Sequence, residues 1–149
     1  MKRQINLLDK MLAQIELWEK EEDHRSIFLN CYCMMTNNML KGIHKDRFVD
    51  NQWVYELLHR FADYYFEALA CYNCGDRNIP RIWQEVHQTS TNEKLHVLQH
   101  LFIGVNAHIN FDLVLFLYDI LIEEWGSLSP LQRKQRYWDH LEVNKVIAE

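Results

Sequence analysis

Residues 96–112 read HVLQHLFIGVNAHINFD and set ionisable or amide side chains among residues apolar enough for a core helix. The polar members are His96, Gln99, His100, Asn106, His108, Asn110 and Asp112. Burying a polar group costs free energy unless it is hydrogen-bonded, paired with an opposite charge or bound to a metal. This stretch therefore predicts a place where imidazoles and a carboxylate either satisfy one another inside the protein or perform chemistry.

Four residues of the stretch follow one another at intervals of four: His100, Gly104, His108 and Asp112. On an α-helix this spacing produces a stripe that rotates by about 40° per step, so its side chains share one face. Gly104 has no side chain and leaves room in the middle of the stripe. The spacing predicts that His108 and Asp112 lie close enough to act together.

The rest of the chain also has a helical pattern. Only four Gly and two Pro interrupt 149 residues, and apolar residues recur at helical spacing nearly throughout. Start and stop signals predict helices over residues 3–22, 25–43, 51–73, 80–86, 91–124 and 129–147. The helix over 91–124 is expected to begin at Ser90–Glu93, which resembles a capping box, and to bend near Gly104 or Asn110. We predict an all-α fold, a single compact helical bundle of five to seven helices over residues 1–149, with the helix over 91–124 at its centre.

Composition and charge argue against several classes of function. The net charge is −5 and the Lys and Arg residues are scattered, whereas a nucleic-acid surface needs clustered positive charge. No uninterrupted apolar run reaches the length that spans a bilayer, and Met1–Lys10 lacks the pattern of a secretory signal. We therefore expect a cytoplasmic protein with no nucleic-acid partner and no membrane span.

The leading functional hypothesis is a metal-assisted enzyme of the hydrolase type that acts on a small-molecule substrate. Imidazole and carboxylate groups are ligands that zinc, iron and manganese accept, and residues four apart on one helix can share one ion. The candidate ligands are His100, His108 and Asp112, with His59 and Asp63 as further donors from the helix over 51–73. Without a metal, His108 could act as a general base oriented by Asp112. Asn106, Asn110 and Gln99 could orient the ligands or hold a water molecule.

A specific motif runs from Leu98 to Leu113 and reads LQHLFIGVNAHINFDL. It resembles the signature of an uncharacterised helical family, which is catalogued only as a domain of unknown function. Shorter matching pieces are Arg47-Phe48-x-Asp50, Phe61-Ala62-x-x-Tyr65-x-x-Ala68-Leu69, Pro80-x-x-Trp83 and Asp139-x-x-x-Val143-Asn144. The resemblance spans about residues 30 to 145, implies a helical fold and brings no established activity.

A second similarity concerns the spacing His108-x-x-x-Asp112 within an apolar helix. It is similar to the helical zinc-dependent phospholipase C and single-strand nuclease group, in which His and Asp from several helices hold a metal cluster. The similarity implies His108, Asp112 and His100 as ligands. The Pro-x-His that commonly follows in that group is replaced here by Leu113-Val114-Leu115-Phe116.

Two alternatives stay open. The first is a non-catalytic helical binding or assembly protein, in which His100, His108, Asn110 and Asp112 form a buried hydrogen-bond network that fixes helix packing. Burial is expected because apolar residues surround these side chains, namely Leu98, Leu101, Phe102, Val105, Ile109, Leu113 and Leu115. The second is a di-iron carboxylate bundle, since Glu56-x-x-His59 and Glu93-x-x-His96 match the spacing of such sites.

Overall fold

The computed structural model describes residues 6–149, which form seven α-helices and contain no strand. In chain order the helices are α1 (Leu7–Lys20), α2 (Arg25–His44), α3 (Asn51–Asn73), α4 (Arg81–Gln88), α5 (Val97–Ala107), α6 (Leu113–Glu124) and α7 (Pro130–Val146). A 3₁₀ turn covers Thr89–Thr91, and one turn of π-helix, His108–Asp112, joins α5 to α6 without a break. We call the continuous segment Val97–Glu124 the central helix. The predicted all-α bundle is confirmed.

Side-chain caps explain where several helices begin. The Asp50 carboxylate accepts a hydrogen bond from the Trp53 amide at the start of α3. At the start of α7, Ser129 and Gln132 form a capping box, and Pro130 occupies the first helical position. Such caps satisfy amides that have no partner within the helix, typically worth about 1 kcal/mol each.

Two expected boundaries differ from the structure. The predicted start at residue 91 is wrong: the central helix begins at Val97, and residues 89–91 form the 3₁₀ turn instead. The operative cap is His96, whose ring accepts from the Leu98 amide while Gln99 accepts from the His96 amide. The first helix begins at Leu7, and residues 3–5 of its predicted span lie outside the described residues.

The core lies where α1, α2, α3 and α4 meet and is rich in aromatic rings. Its least exposed large members are Met11, Leu29, Val54, Tyr65 and Trp83. The central helix packs over this core, and Gly104 makes that close packing possible. A Cβ atom on Gly104 would lie 2.5 Å from Cγ of Phe28, so no larger residue fits there without displacing α2.

Helix α7 is held to the bundle by a buried carboxylate. Asp139 is 1% exposed and accepts hydrogen bonds from the backbone amides of Val49 (2.6 Å) and Asp50 (3.0 Å), just before α3. Arg136 adds ion pairs to Asp50 and to Glu124 at the end of α6. These contacts connect the last helix both to α3 and to the central helix.

The two faces of the central helix repeat with a period of four residues. An inner row is buried: His100, Gly104, His108, Asp112, Phe116 and Ile120. An outer row is exposed: Leu98, Phe102, Asn106, Asn110, Val114, Tyr118 and Ile122. In a straight α-helix each row would rotate by about 40° per step. The π-turn in the middle is wider than an α-turn and rotates the rows back, which helps to keep each row on its own side.

By length and composition the central helix is apolar enough to cross a membrane, a test that core helices of globular proteins also pass. A search for uninterrupted apolar runs does not detect this helix, because polar residues such as His100 and Asn106 interrupt its apolar sequence. Only 28% of its most apolar 18-residue stretch is buried in the bundle. The absence of a membrane span therefore stays a prediction, and the exposed apolar face needs a physical explanation.

Candidate functional site

The π-turn brings His108 and Asp112 together in the interior. The His108 ring donates from Nδ1 to Oδ2 of Asp112 over 3.0 Å, and both side chains are 2% exposed. The geometry that the four-residue spacing predicts for this pair is therefore present. Single π-turns within α-helices occur frequently at functional sites, so this position is the first candidate for one.

Trp83 on α4 completes the arrangement and was not identified as a site residue from the sequence. Its indole Nε1–H donates to Oδ1 of Asp112 over 2.9 Å, so each oxygen of the carboxylate accepts one hydrogen bond. A buried tryptophan usually finds a partner for its N–H. The motif Pro80-x-x-Trp83 on a short helix was the available signal, but nothing in it names Asp112 as the acceptor.

Aromatic rings enclose the His108 imidazole. Phe61 stacks on it at 3.9 Å between ring centroids, Tyr32 lies at 4.4 Å, and Phe28 meets it edge-on at 5.7 Å. Burial lowers the pKa of His108 below its ordinary value, although the hydrogen bond to Asp112 opposes the shift. The ring is therefore neutral near pH 7, with its proton on Nδ1.

Two polar atoms in this enclosure have no hydrogen-bond partner among residues 6–149: His108 Nε2 and the Tyr32 hydroxyl. With Nδ1 as the donor, Nε2 carries a lone pair. A histidine held in one tautomer by a carboxylate is the arrangement of a general base. Here, however, the rings that pack around the imidazole separate that lone pair from solvent.

His100 lies on the same inner row but serves a different contact. Its Nε2 is 3.2 Å from the Asn92 carbonyl, and its ring stacks on His24 at 4.3 Å with an interplanar angle of 4°. His24 in turn donates from Nδ1 to the Ser90 carbonyl over 2.8 Å. These contacts secure the loop between α4 and the central helix, and His100 makes no hydrogen bond with the His108–Asp112 pair.

A small cleft lies between α2, α4 and the central helix, and three histidines line it: His24, His87 and His100. Its cavity volume is about 20 Å³, room for about one water molecule. Neither ring nitrogen of His87 has a hydrogen-bond partner in the described part of the chain. Burial, with a smaller effect from Arg25, lowers the pKa of His87 to about 4.

The remaining candidate ligands lie apart from the buried pair. His59 Nδ1 bonds to the Tyr55 carbonyl of its own helix, and Asp63 is exposed on α3. Among residues 6–149 no group of three or more His, Cys, Asp or Glu side chains is placed to hold a metal ion. The three expected ligands His100, His108 and Asp112 do not converge: only His108 and Asp112 are in contact.

The three residues expected to orient the metal ligands or hold a water molecule face away from the buried pair. Gln99 caps the central helix and is exposed. Asn106 and Asn110 bond to each other over 2.7 Å on the outer surface, on the side of the helix opposite the buried network. The di-iron spacing Glu93-x-x-His96 precedes the central helix and so does not lie on one helix face.

The apolar neighbours expected to bury the stretch are themselves partly exposed. Phe102 is 61% exposed and Ile109 38%, and Leu98 and Leu115 are also exposed. These residues form or flank the outer row, so the shielding of His108 comes from α2, α3 and α4 instead. His100, His108 and Asp112 are buried as expected, but Asn110 is exposed, and the residues that cover the buried side chains are not the expected ones.

Comparison with known proteins identifies one relationship. A family model described as "Family of unknown function (DUF5995)" matches residues 5–149. No curated protein and no solved structure matches the chain. The similarity to the zinc-dependent phospholipase C and single-strand nuclease group therefore stays a prediction.

Proposed function

Since the chain belongs to DUF5995, a family of unknown function, its role has to be argued from its own geometry, and we propose that it is a non-catalytic helical assembly protein. In this proposal the buried His108–Asp112–Trp83 network fixes the packing of the helices, and the outer row binds another protein. The observation that carries the proposal is the four-residue period of the central helix. It directs His100, His108 and Asp112 inward and a mostly apolar surface outward.

The enclosure of the network supports a structural role. The network links the central helix to α4 through one carboxylate with both oxygens engaged, and aromatic rings from α2 and α3 surround it. Hydrogen bonds that engage both oxygens of a buried carboxylate can specify one packing arrangement among several apolar alternatives. The cleft next to it has room for about one water molecule, which is too small for a substrate in this conformation.

The composition of the outer face supports a protein partner over a lipid surface. Helices that lie on membranes carry Lys and Arg beside the apolar face, which attract anionic headgroups. The central helix contains no Lys or Arg, and its last turns carry Asp119, Glu123 and Glu124. In addition, Asn106 and Asn110 interrupt the apolar row at its middle, where hydrocarbon would leave amide groups without partners.

A second candidate function is acid–base catalysis by His108, the role expected of a hydrolase that acts on a small molecule. It is supported by the lone pair of Nε2, the lowered pKa and the orienting bond to Asp112. A divalent ion such as zinc, iron or manganese would have to bind at His108 Nε2, because His108 Nδ1 and Trp83 engage both oxygens of Asp112, and there it would polarise a substrate oxygen. Either form of this candidate requires that a small molecule reach Nε2.

Reactivity of His108 toward a small electrophile separates the two candidates. Diethyl pyrocarbonate acylates accessible neutral imidazoles, and peptide mass spectrometry reads the modification at each histidine. We expect rapid modification of the exposed residues His44 and His96 in the native protein and modification of His108 only after denaturation, because rings cover it. Native-state modification of His108 at a rate near that of His44 would contradict the assembly proposal and favour catalysis.

A further inference from the structure

We propose that the partner of the outer row is a second copy of this chain, docked antiparallel across a two-fold axis that passes between Asn106 and Asn110. This inference rests on the proposed function, because it names the partner of the surface described there. Two features of the central helix carry it: the unused hydrogen-bonding groups of the two amides and the register of the apolar residues on either side.

The amide pair is complementary to a two-fold copy of itself. Asn110 Nδ2 donates to Asn106 Oδ1 over 2.7 Å, and both side chains face solvent. The bond leaves Asn106 Nδ2 as an unused donor and Asn110 Oδ1 as an unused acceptor. In a two-fold interface residue i meets residue j and j meets i. Each Asn106 can therefore donate to the Asn110 of the other copy, which closes a ring of four amides.

The same axis brings apolar residues together. When two copies of one helix pack antiparallel, the residue numbers of each facing pair add up to the same value. The contact of Asn106 with Asn110 sets that value and therefore fixes which other residues face each other. Phe102 then lies against Val114, and Leu98 lies against Tyr118. All four are at least half exposed in the single chain, with exposures of 61%, 60%, 50% and 62% in that order. The interface therefore has a polar centre that sets the register and apolar flanks that contribute hydrophobic burial.

Charge at the edge of the face does not oppose this contact. The two acidic residues beside the outer row are engaged by α3 of the same chain: Asp119 accepts from the Tyr64 hydroxyl, and Glu123 pairs with Arg60. The charge of Glu123 is thus partly compensated, and Asp119 is already hydrogen-bonded, before a second copy approaches. A single polar pair within an apolar helix face commonly specifies register and oligomeric state, at some cost in affinity.

The size of the face sets the expected strength. A helix of 28 residues is about 42 Å long and about 10 Å across, so the outer face offers a footprint of roughly 400 Å². Stable interfaces bury about 800 Å² on each partner, and smaller ones are weak or transient. We therefore expect a dimer with a dissociation constant in the micromolar range, seen as a mass that rises with concentration.

Site-specific photo-cross-linking tests the identity of the partner. A benzophenone amino acid replaces Phe102 in cells that express the chain, and Leu12 on α1, which is 55% exposed, is the matched apolar control. We expect an adduct of twice the 18.1 kDa chain mass from position 102, attached near Val114, and none from position 12. An adduct with a different protein would overturn the second copy but leave the proposed function. No protein adduct, or a lipid adduct alone, would overturn both.

A conservative variant tests the amide ring itself. Asn106→Asp keeps the acceptor for Asn110 but removes both donors that cross the two-fold axis. We expect sedimentation equilibrium to show dimerisation at least tenfold weaker, while the thermal midpoint stays unchanged at concentrations too low for dimers, where the side chain is exposed. The exposed residue Asn144 on α7 provides the control Asn144→Asp, which adds the same charge elsewhere. Equal dimerisation by all three proteins would overturn the proposed register.

Discussion

Replacement of Asp112 by alanine is expected to lower the free energy of unfolding by about 3–5 kcal/mol, because two buried donors each lose their acceptor at a cost of about 1–3 kcal/mol. The variant leaves the Trp83 indole N–H and the His108 Nδ1–H without acceptors in the interior. It also leaves a cavity that the surrounding rings fill only in part. Urea denaturation followed by far-ultraviolet circular dichroism measures the change. The slope of the transition must be the same in the variant and the wild type for the two free energies to be compared.

The matched variant for this experiment is Asp112→Asn, which preserves the size of the side chain. Its amide oxygen still accepts one hydrogen bond, but its NH₂ group faces a second donor. We expect Asp112→Asn to lose less stability than Asp112→Ala, so that the free energy of unfolding decreases from wild type to Asp112→Asn to Asp112→Ala. If the alanine variant costs less than about 0.5 kcal/mol, the level of a surface change, the network does not hold the helices together.

Acid destabilisation linked to His87 is the second large effect. Burial lowers its folded-state pKa to about 4, so below the ordinary value of 6.5 the unfolded chain binds protons that the folded chain rejects. Stability is therefore complete above pH 6.5 and falls as the pH drops toward 4. For one histidine this loss amounts to about 3 kcal/mol, because each unit of pKa shift corresponds to 1.36 kcal/mol.

His87→Phe removes the titrating ring while keeping its contacts with Trp83 and Tyr72. We expect the variant to lose about 3 kcal/mol less than wild type between pH 6.5 and 4, and to be at least as stable at pH 7, since neither ring nitrogen of His87 has a partner within residues 6–149. Thermal or urea unfolding across this pH range measures it. His44→Phe, at an exposed histidine, is the control. Parallel pH profiles for wild type and His87→Phe would contradict this explanation.

Much of the fold could be predicted from local signals. The helices over 25–43 and 51–73 agree with α2 and α3 to within one residue, because Asp50 and the Gly75 region mark ends that depend only on nearby backbone. The start of the central helix was missed because His96 caps it through its ring, an uncommon use of histidine. Ser90–Glu93 has the expected residue types for a cap, but the Ser90 hydroxyl bonds to the His87 carbonyl instead.

The site was predictable in part. The i,i+4 spacing gave the His108–Asp112 contact, but no local pattern shows that Trp83, 29 residues earlier, supplies the second donor. Nor could the spacing reveal that Leu98 and Phe102 face outward, because that depends on which side of the helix the other helices cover.

Hydroxyl-radical footprinting over a range of protein concentrations is the most direct test of whether the outer row binds a second copy of the chain. Phe102 and Tyr118 report on that row, and Tyr55 and Tyr137, which are 43% and 61% exposed on α3 and α7, are internal references. If the outer row binds a second copy, oxidation of Phe102 and Tyr118 falls severalfold as the concentration rises through the micromolar range, while oxidation of Tyr55 and Tyr137 stays constant. Constant oxidation at all four residues, or an equal decrease at all four, would contradict the binding of a second copy by the outer row.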